Sequence, residues 1–537
     1  MTAGIWLLLM AVALVVRPPL PVDETRYLAV AWEMWLRGDF LVPYLNDETY
    51  SHKPPLLFWL MHAGWALLGV NDWWPRLIAP LFGLGCLFLT RALARALWPA
   101  DKQTPEFALL VLTGCVFWTL FVTLTMFDMM LAFFALLGLL GMIRAWQGRR
   151  LTGFALLAAA VGLGILCKGP AILLHLLPVA LTAPLWGPRL AGRENLTDVP
   201  RAAWYGQLVI AIALGIGLAL LWAVPAGIAG GDDYQHAIFW GQAAGRMVES
   251  FAHKRAFWWY AAIVPGLVLP WFIWPPLWQA ARAYGRRLWQ DGGSLLCLIW
   301  FMTAFFVFSL ISGKQLHYLL PEFPALALLA ARALSQSDSP LVLSRASMRW
   351  PALLFAGLGL ALLLLSFGLL PGRMPDWAGE VAGLWSLGLV GLAGWVGFSQ
   401  PKALAPALIR LTVLPVGLVV ALHLALAPVF ANRYDLEPVA IQLKAWQDEG
   451  IAIANFGKYH GQFQFLGRLH QPVTTVGQRS SDLQEFLRDN PRGRIIAYYD
   501  EVPSQAIPVA VYRFRQSVIV IWDAQTMIAY PGIGNRS

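Results

Sequence analysis

Apolar and polar positions alternate along the chain in blocks. Uninterrupted apolar runs of roughly bilayer length, about 20 residues, recur near 3–20, 75–98, 105–123, 126–146, 151–167, 170–187, 204–228, 257–280, 294–312, 316–334, 351–370, 380–399 and 408–430. The pattern predicts a polytopic α-helical membrane protein with about 13 transmembrane helices. The runs 151–167 and 170–187 are short and separated only by Lys168-Gly169-Pro170, and 316–334 is interrupted by Pro321, Glu322 and Pro324. Between the spans, two connections are long, 21–74 and 229–256. In Tyr27–Leu36 and Pro55–Leu68 aromatic and aliphatic residues recur near helical spacing, which predicts amphipathic helices parallel to the membrane, in its interface or packed on the bundle.

The pattern changes after Phe430. A polar helical stretch (439–449) is followed by short β-rich runs at 451–456, 494–500, 510–514 and 518–522 and a helix over 482–490 capped by Ser481. These predict two units, a membrane domain at 1–430 and a small soluble α/β domain at 431–537.

Composition agrees. Of 537 residues 58% are hydrophobic and 13% charged, against about 25% charged in soluble proteins; the mean hydropathy is +0.60. The net charge of +9 could suggest nucleic acid, but the basic residues concentrate in alternate short loops, as the positive-inside rule requires. Arg91 and Arg95, then Arg144 and Arg150, Arg282 and Arg287, and Arg345 and Arg349 mark one side; Lys168, Lys314 and Arg373 are nearly alone on the other. The N-terminus is then cytoplasmic, and both long loops and the C-terminal domain lie outside. Merging two spans would switch the side of every later loop, so the alternation supports the odd count. The first run lacks a basic leader and an Ala-x-Ala site, so it reads as a retained helix. Cys86, Cys115, Cys167 and Cys297 sit in or beside apolar runs without disulfide or metal spacing.

Candidate chemistry gathers outside. Asp23 and Glu24 follow the first span, where an acidic pair also suits a helix N-terminus. Asp128 opens a span with almost no polar neighbours, an expensive position unless it is paired or faces a wet cavity. Lys53 stands at a Pro-Pro turn, Arg246, His253, Lys254 and Arg255 crowd the second long loop, and Lys314, Gln315, His317 and Tyr318 open the tenth span. Cations bind phosphate by charge and directional hydrogen bonds, and a carboxylate beside them can orient a sugar or accept a proton; an interfacial belt touching lipid headgroups would account for Lys254 and Arg255 but not for the carboxylates. Lys168-Gly169-Pro170 lacks the frame of a phosphate loop and reads as a helix-breaking turn. His62, His175 and His423 lie singly in apolar segments and read as packed. The sequon at Asn195 falls on the inner side and is discounted.

Asp23-Glu24-Thr25-Arg26-Tyr27, residues 38–46 (GDFLVPYLN), residues 52–59 (HKPPLLFW), residues 241–247 (GQAAGRM), residues 253–260 (HKRAFWWY) and residues 312–325 (SGKQLHYLLPEFPA) resemble the GT-C membrane glycosyltransferases, specifically the bacterial 4-amino-4-deoxy-L-arabinose lipid A transferases and their protein-O-mannosyltransferase-like relatives. The resemblance runs over essentially the whole chain. It implies a GT-C fold with Asp23 and Asp128 as catalytic acidic residues. Lys53, Arg246 and Tyr318 would hold the phosphate of the polyprenyl carrier, and Glu24, Arg26, His253, Arg255 and Lys314 are further candidates for substrate contact. The chain departs from the family where an acidic residue is replaced by His52 and a Glu-His pair by Gln242-Ala243. Those positions are associated with a divalent metal in the family, so their replacement argues against a metal here and weakens aminoarabinose as the sugar.

The implied reaction moves a sugar from undecaprenyl phosphate to lipid A phosphate at the outer face of the bacterial inner membrane, without nucleic acid; oligomeric state is left open. Transfer to a glycan or protein hydroxyl is the alternative. A transporter or flippase is the competing class, but it predicts mid-membrane ionisable groups and repeated halves, and no internal repeat is present. A non-enzymatic assembly factor working through its tail is a third possibility.

Overall fold

The computed structural model describes residues 1–190, 200–241, 254–337, 341–477, 480–530 and 532–533. Each of the thirteen apolar runs is helical, but they are not equal. Seven form helices long and apolar enough to cross a membrane, from Trp73–Leu97 to the last span, and Ala171–Leu181 with Ala183–Arg189 makes an eighth bent by 44°. Thr2–Val16, Leu56–Leu68, Thr104–Thr113 and Gly383–Phe398 are shorter apolar helices. The run 257–280 is broken into Trp259–Leu267, a single turn at Trp271–Ile273 and Pro275–Tyr284. The run 316–334 begins as a tight 3-10 turn, Leu316–Glu322, before Phe323–Ser335 continues as α-helix. Pro321 and Pro324 supply the reason, since neither can donate a backbone hydrogen bond.

Phe127–Trp146 is the most enclosed of the spans. It packs so tightly on Arg150–Lys168 that a Cβ on Gly153 would lie 2.4 Å from Ala145 N, a small-residue contact typical of membrane helices. This close pairing aligns the start of one helix, with Asp128, beside the end of the next, with Lys168.

Both amphipathic segments of the first long loop are helices. Asp23–Arg37 opens on two carboxylates, which suit the positive end of the helix dipole, and stops at Gly38 in the left-handed region, φ 64°. Leu56–Leu68 starts after Pro54-Pro55 and ends at Gly69. His62 joins them through a 2.8 Å contact from Nε2 to Ala31 O, a packed role as the sequence suggests. Between them Tyr44–Leu45 and Glu48–Thr49 form a small hairpin whose turn residues, Asn46 and Asp47, have positive φ, the combination its right-handed twist favours.

The C-terminal part carries a five-stranded sheet. In spatial order the strands are Thr474–Val476, Ile453–Phe456, Arg494–Tyr499, Ser517–Asp523 and Ala510–Phe514. The first three are parallel and the last two join antiparallel. Four of the five follow the β-rich runs of the sequence; Thr474–Val476 is too short and polar to stand out. The predicted helix spans Ser480–Asp489, so Ser481 lies in its first turn rather than capping it.

This unit is fastened to the first long loop. The Asn46 side chain donates to Val473 O and accepts from Val473 N–H, both at 2.8 Å. Trp32 Nε1 donates to Leu469 O at 3.0 Å, and Trp65 stacks on Phe465 with centroids 5.3 Å apart.

Candidate active site

Five segments converge at one end of the helices. The first is the turn after Thr2–Val16. There Arg17 and Glu24, both buried, form an ion pair. Glu24 accepts from Leu20 N–H and Thr125 N–H, each at 2.7 Å, and Arg17 Nη2 reaches Thr123 O at 3.0 Å. Burial alone would raise the Glu24 carboxyl, but the Arg17 charge and hydrogen bonds, with the two backbone donors, hold it at about 2. Glu24, expected as a substrate contact, here ties the loop to the 123–125 turn through both of its oxygens. Its neighbour Asp23 projects the other way. It is exposed, with Arg26 3.9 Å from its carboxylate.

The Thr123–Thr125 turn leads into Phe127 and Asp128. The Phe127 ring is a hub: Tyr27 meets it edge-on at 4.9 Å, Phe58 at 5.9 Å, and Lys53 Nζ lies 5.5 Å from its centroid. These contacts carry Lys53 from its Pro-Pro turn to the start of the central helix. Burial, then the charges of Asp23 and Asp128 among its neighbours, push the Tyr27 phenol well above its ordinary value, so it stays a neutral hydroxyl.

Asp128 is buried and paired with Lys168. A carboxylate in an apolar bundle needs such a partner, because desolvating an uncompensated charge is costly. Lys168 Nζ also lies 5.3 Å from the Tyr318 ring centroid, and His317 packs edge-on against Tyr318 at 5.1 Å. Asp128 is within electrostatic reach of His317, Lys168 and Lys53, and His317 within reach of Asp23. One cluster thus brings together Asp23, Lys53, Asp128, Lys168, His317 and Tyr318. The helix does break at Lys168-Gly169-Pro170 as the sequence predicts, and Lys168 in addition supplies the counter-charge of Asp128. The missed signal was topological: Asp128 opens a span and Lys168 closes the next, so both stand on one side, and a buried carboxylate demands a cation.

A buried pair behind the cluster positions it. His175 Nδ1 and Glu322 Oε1 are 2.5 Å apart and essentially sealed from solvent. They join the helix after Lys168 to the turn that carries His317 and Tyr318. His175 is packed, as its apolar setting suggests, but it is also a link between two site segments.

The remaining candidates divide. Lys314, expected as a substrate contact, is buried and donates to Arg255 O at 3.1 Å and Ile311 O at 2.6 Å, bracing the loop. Arg255 lies over the Trp259 ring at 5.7 Å and its N–H bonds Ser312 O at 3.2 Å. Arg26 flanks Asp23. Arg246, His253 and positions 242–243 lie outside the described residues. Among the described residues no three His, Cys, Asp or Glu side chains gather as metal ligands, and His52 instead meets the Tyr50 ring at 5.4 Å.

The family described as dolichyl-phosphate-mannose-protein mannosyltransferase matches residues 52–222. An undecaprenyl phosphate-α-4-amino-4-deoxy-L-arabinose arabinosyl transferase of Pectobacterium atrosepticum is 32% identical, covering 70% of this chain and 66% of its own length. Its counterpart in Pseudomonas paraeruginosa is 32% identical, covering 70% and 67%. The chain thus spans about two thirds of the length of these curated relatives. The crystal structure of ArnT from Cupriavidus metallidurans bound to undecaprenyl phosphate superposes with a TM-score of 0.75 over 97% of both chains, at 21% identity; the fold is shared. A bundle of apolar helices with this C-terminal sheet defines a multi-pass membrane protein of the GT-C glycosyltransferase class. Within that class, the chain belongs to the family of undecaprenyl phosphate-α-4-amino-4-deoxy-L-arabinose arabinosyl transferases.

Proposed function

We propose that this protein transfers 4-amino-4-deoxy-L-arabinose from undecaprenyl phosphate to a phosphate of lipid A at the periplasmic face of the bacterial inner membrane. The N-terminus is then cytoplasmic, residues 1–430 form the catalytic membrane domain, and residues 431–537 form a periplasmic domain. The observation that carries the reading is the convergence of Asp23, Asp128, Lys53, Lys168 and Tyr318 at one end of the bundle, next to a largely apolar helix surface.

The acceptor oxygen attacks the anomeric carbon, the bond from that carbon to the carrier phosphate oxygen breaks, and undecaprenyl phosphate leaves with the bonding electrons. Direct displacement inverts the anomeric centre. Charge on the departing phosphate grows along this path. Lys53 and the Tyr318 hydroxyl, with Arg246 from the second long loop, therefore stabilise the transition state more than the ground state. Asp128 fixes Lys168 over the Tyr318 ring, which orients that pair before substrate arrives. A phosphate acceptor is already ionised and needs no base, so Asp23 orients the sugar through its amino group. With a hydroxyl acceptor, the second reading kept open by His52 and Gln242-Ala243, Asp23 would instead accept the proton.

Mass spectrometry of lipid A and envelope glycans from cells with and without the protein tests the reading. A lipid A species heavier by one aminoarabinose that disappears in Asp23→Asn supports it. An unchanged lipid A with a sugar lost from another envelope glycan moves the assignment to the hydroxyl acceptor.

A further inference from the structure

The C-terminal sheet contributes cations to the neighbourhood of Asp23 that the mechanism above does not use. Two of its turns meet the start of the helix Asp23–Arg37. The first runs from Gly457 to Gly461, both at positive φ. A Cβ on Gly461 would lie 2.5 Å from Leu45 Cδ1 and 3.0 Å from Ala29 Cβ, so the turn is seated directly on that helix. Ala29 is three residues beyond Arg26, on the same helix face, which brings His460 within electrostatic reach of Arg26. The second turn carries Arg515, whose Nη2 donates to Pro21 O at 2.6 Å. Its backbone is held by the end of the last span: Arg515 N–H bonds Arg433 O at 2.9 Å, and Arg433 Nη1 returns to Arg515 O at 3.0 Å.

The result is an excess of positive charge at one spot. Arg26, Lys458 and Arg515 lie within electrostatic reach of His460, as does the Asp23 carboxylate. Burial first, and then the Arg26 and Lys458 charges, hold the His460 imidazole below its ordinary value. Arg26 Nε is buried and has no hydrogen-bond partner among the described residues. Like charges gathered this closely repel one another unless an anion bridges them, and guanidinium and ammonium groups together match a phosphate's oxygens.

We propose that Arg26, Lys458, His460 and Arg515 form a seat for a phosphate of the acceptor, built across the junction of the first long loop and the C-terminal sheet. The assignment rests on the transfer reaction proposed above. The seat adjoins Asp23, so a phosphate held there has an oxygen next to the sugar that Asp23 orients. It also gives the C-terminal unit a task in the reaction, because three of the four residues of the seat belong to it.

Lys458 is exposed and is the best position for a test without disturbing the fold. In steady-state transfer by the full-length protein, Lys458→Glu should raise the KM for lipid A at least tenfold and leave the KM for the undecaprenyl-phosphate donor within twofold. Lys458→Arg should restore the lipid A KM. A donor KM that rises in parallel, or an unchanged lipid A KM, overturns the seat. The assay is repeated in micelles with and without phosphatidylglycerol: if the Lys458→Glu defect exists only with the anionic lipid, the cluster binds membrane headgroups and the proposal fails. Calorimetric binding of lipid A without donor separates the two levels. Equal binding by wild type and Lys458→Glu overturns the seat alone, whereas no binding by wild type overturns the acceptor and the seat with it.

Discussion

Replacing Glu24 by glutamine keeps its shape and removes its charge, leaving the Arg17 guanidinium buried beside a neutral amide. The ion pair is almost fully enclosed, with side-chain exposures of 2% and 4%, so water cannot take the partner's place. The carboxyl drops from an ordinary 4.5 to about 2, and at about 1.4 kcal/mol per unit this is about 3 kcal/mol of stabilisation for the charged form. That agrees with the roughly 3–5 kcal/mol lost when one member of a buried pair is removed. Glu24→Gln should therefore destabilise the purified protein by about 3 kcal/mol in denaturant unfolding in detergent. Replacing both partners by apolar residues, Arg17→Met with Glu24→Leu, should cost less than the single change, because no unpaired charge remains. The pH dependence has a definite sign. The folded carboxyl is depressed, so its contribution is complete above about 4.5 and is lost as the pH falls toward 2; Glu24→Gln should lack that part of the acid dependence. Activity should fall along with stability, since Glu24 holds the turn that presents Asp23. A Glu24→Gln protein that unfolds with wild type, or a double variant as damaged as the single one, would refute the reasoning.

Asp23→Asn should abolish transfer in a protein that still unfolds at the wild-type temperature; appreciable product in the lipid A assay counts against Asp23 as the sugar-orienting carboxylate. Lys168→Met should cost about 3–5 kcal/mol by stranding the buried Asp128 charge, and adding Asp128→Asn should recover stability but not turnover, as unfolding and rate measurements on the two variants will tell. Lys53→Ala should raise the donor KM and lower kcat by about a hundredfold or more, the usual effect of losing one group that stabilises developing charge; an unchanged dependence on donor concentration removes it from the phosphate site. Glu322→Ala should loosen the turn bearing His317 and Tyr318, so donor KM should rise although Glu322 lies behind the cluster, and the buried histidine pair predicts that Glu322→Gln retains more activity than Glu322→Ala.

Much of this was legible in the chain because its elements are coded locally. Runs of about bilayer length can only be buried in lipid or protein, and their number and positions follow from hydropathy. The amphipathic helices of the first long loop and four of the five C-terminal strands follow from the 3.6 and 2.0 residue periods. The acidic and basic residues at the ends of the spans were visible for the same reason: ionisable groups are rare beside a bilayer, so those that persist stand out.

Their partners were not legible. Glu24 and Asp23 are adjacent and of one chemistry, yet helix geometry turns one toward Arg17 and the 123–125 turn and leaves the other exposed. Lys314 and Lys168 are both lone lysines in short connections between apolar runs. Burial under a loop sends the first to backbone carbonyls, and the close approach of two helices at Gly153 sends the second to Asp128.

Sequence alone determined the membrane class, the order of apolar helices and C-terminal strands, and the residue types from which a site could be built, because hydropathy, periodicity and charge act over a few neighbours. Tertiary structure decided which of those residues meet. Segments as far apart as Asp23, Lys53, Asp128, Lys168 and Tyr318 come together through helix packing, and Lys458 and Arg515 reach the same loop through the docking of a sheet. No local pattern encodes those distances, since they are set by how side chains hundreds of residues apart fill the space between them.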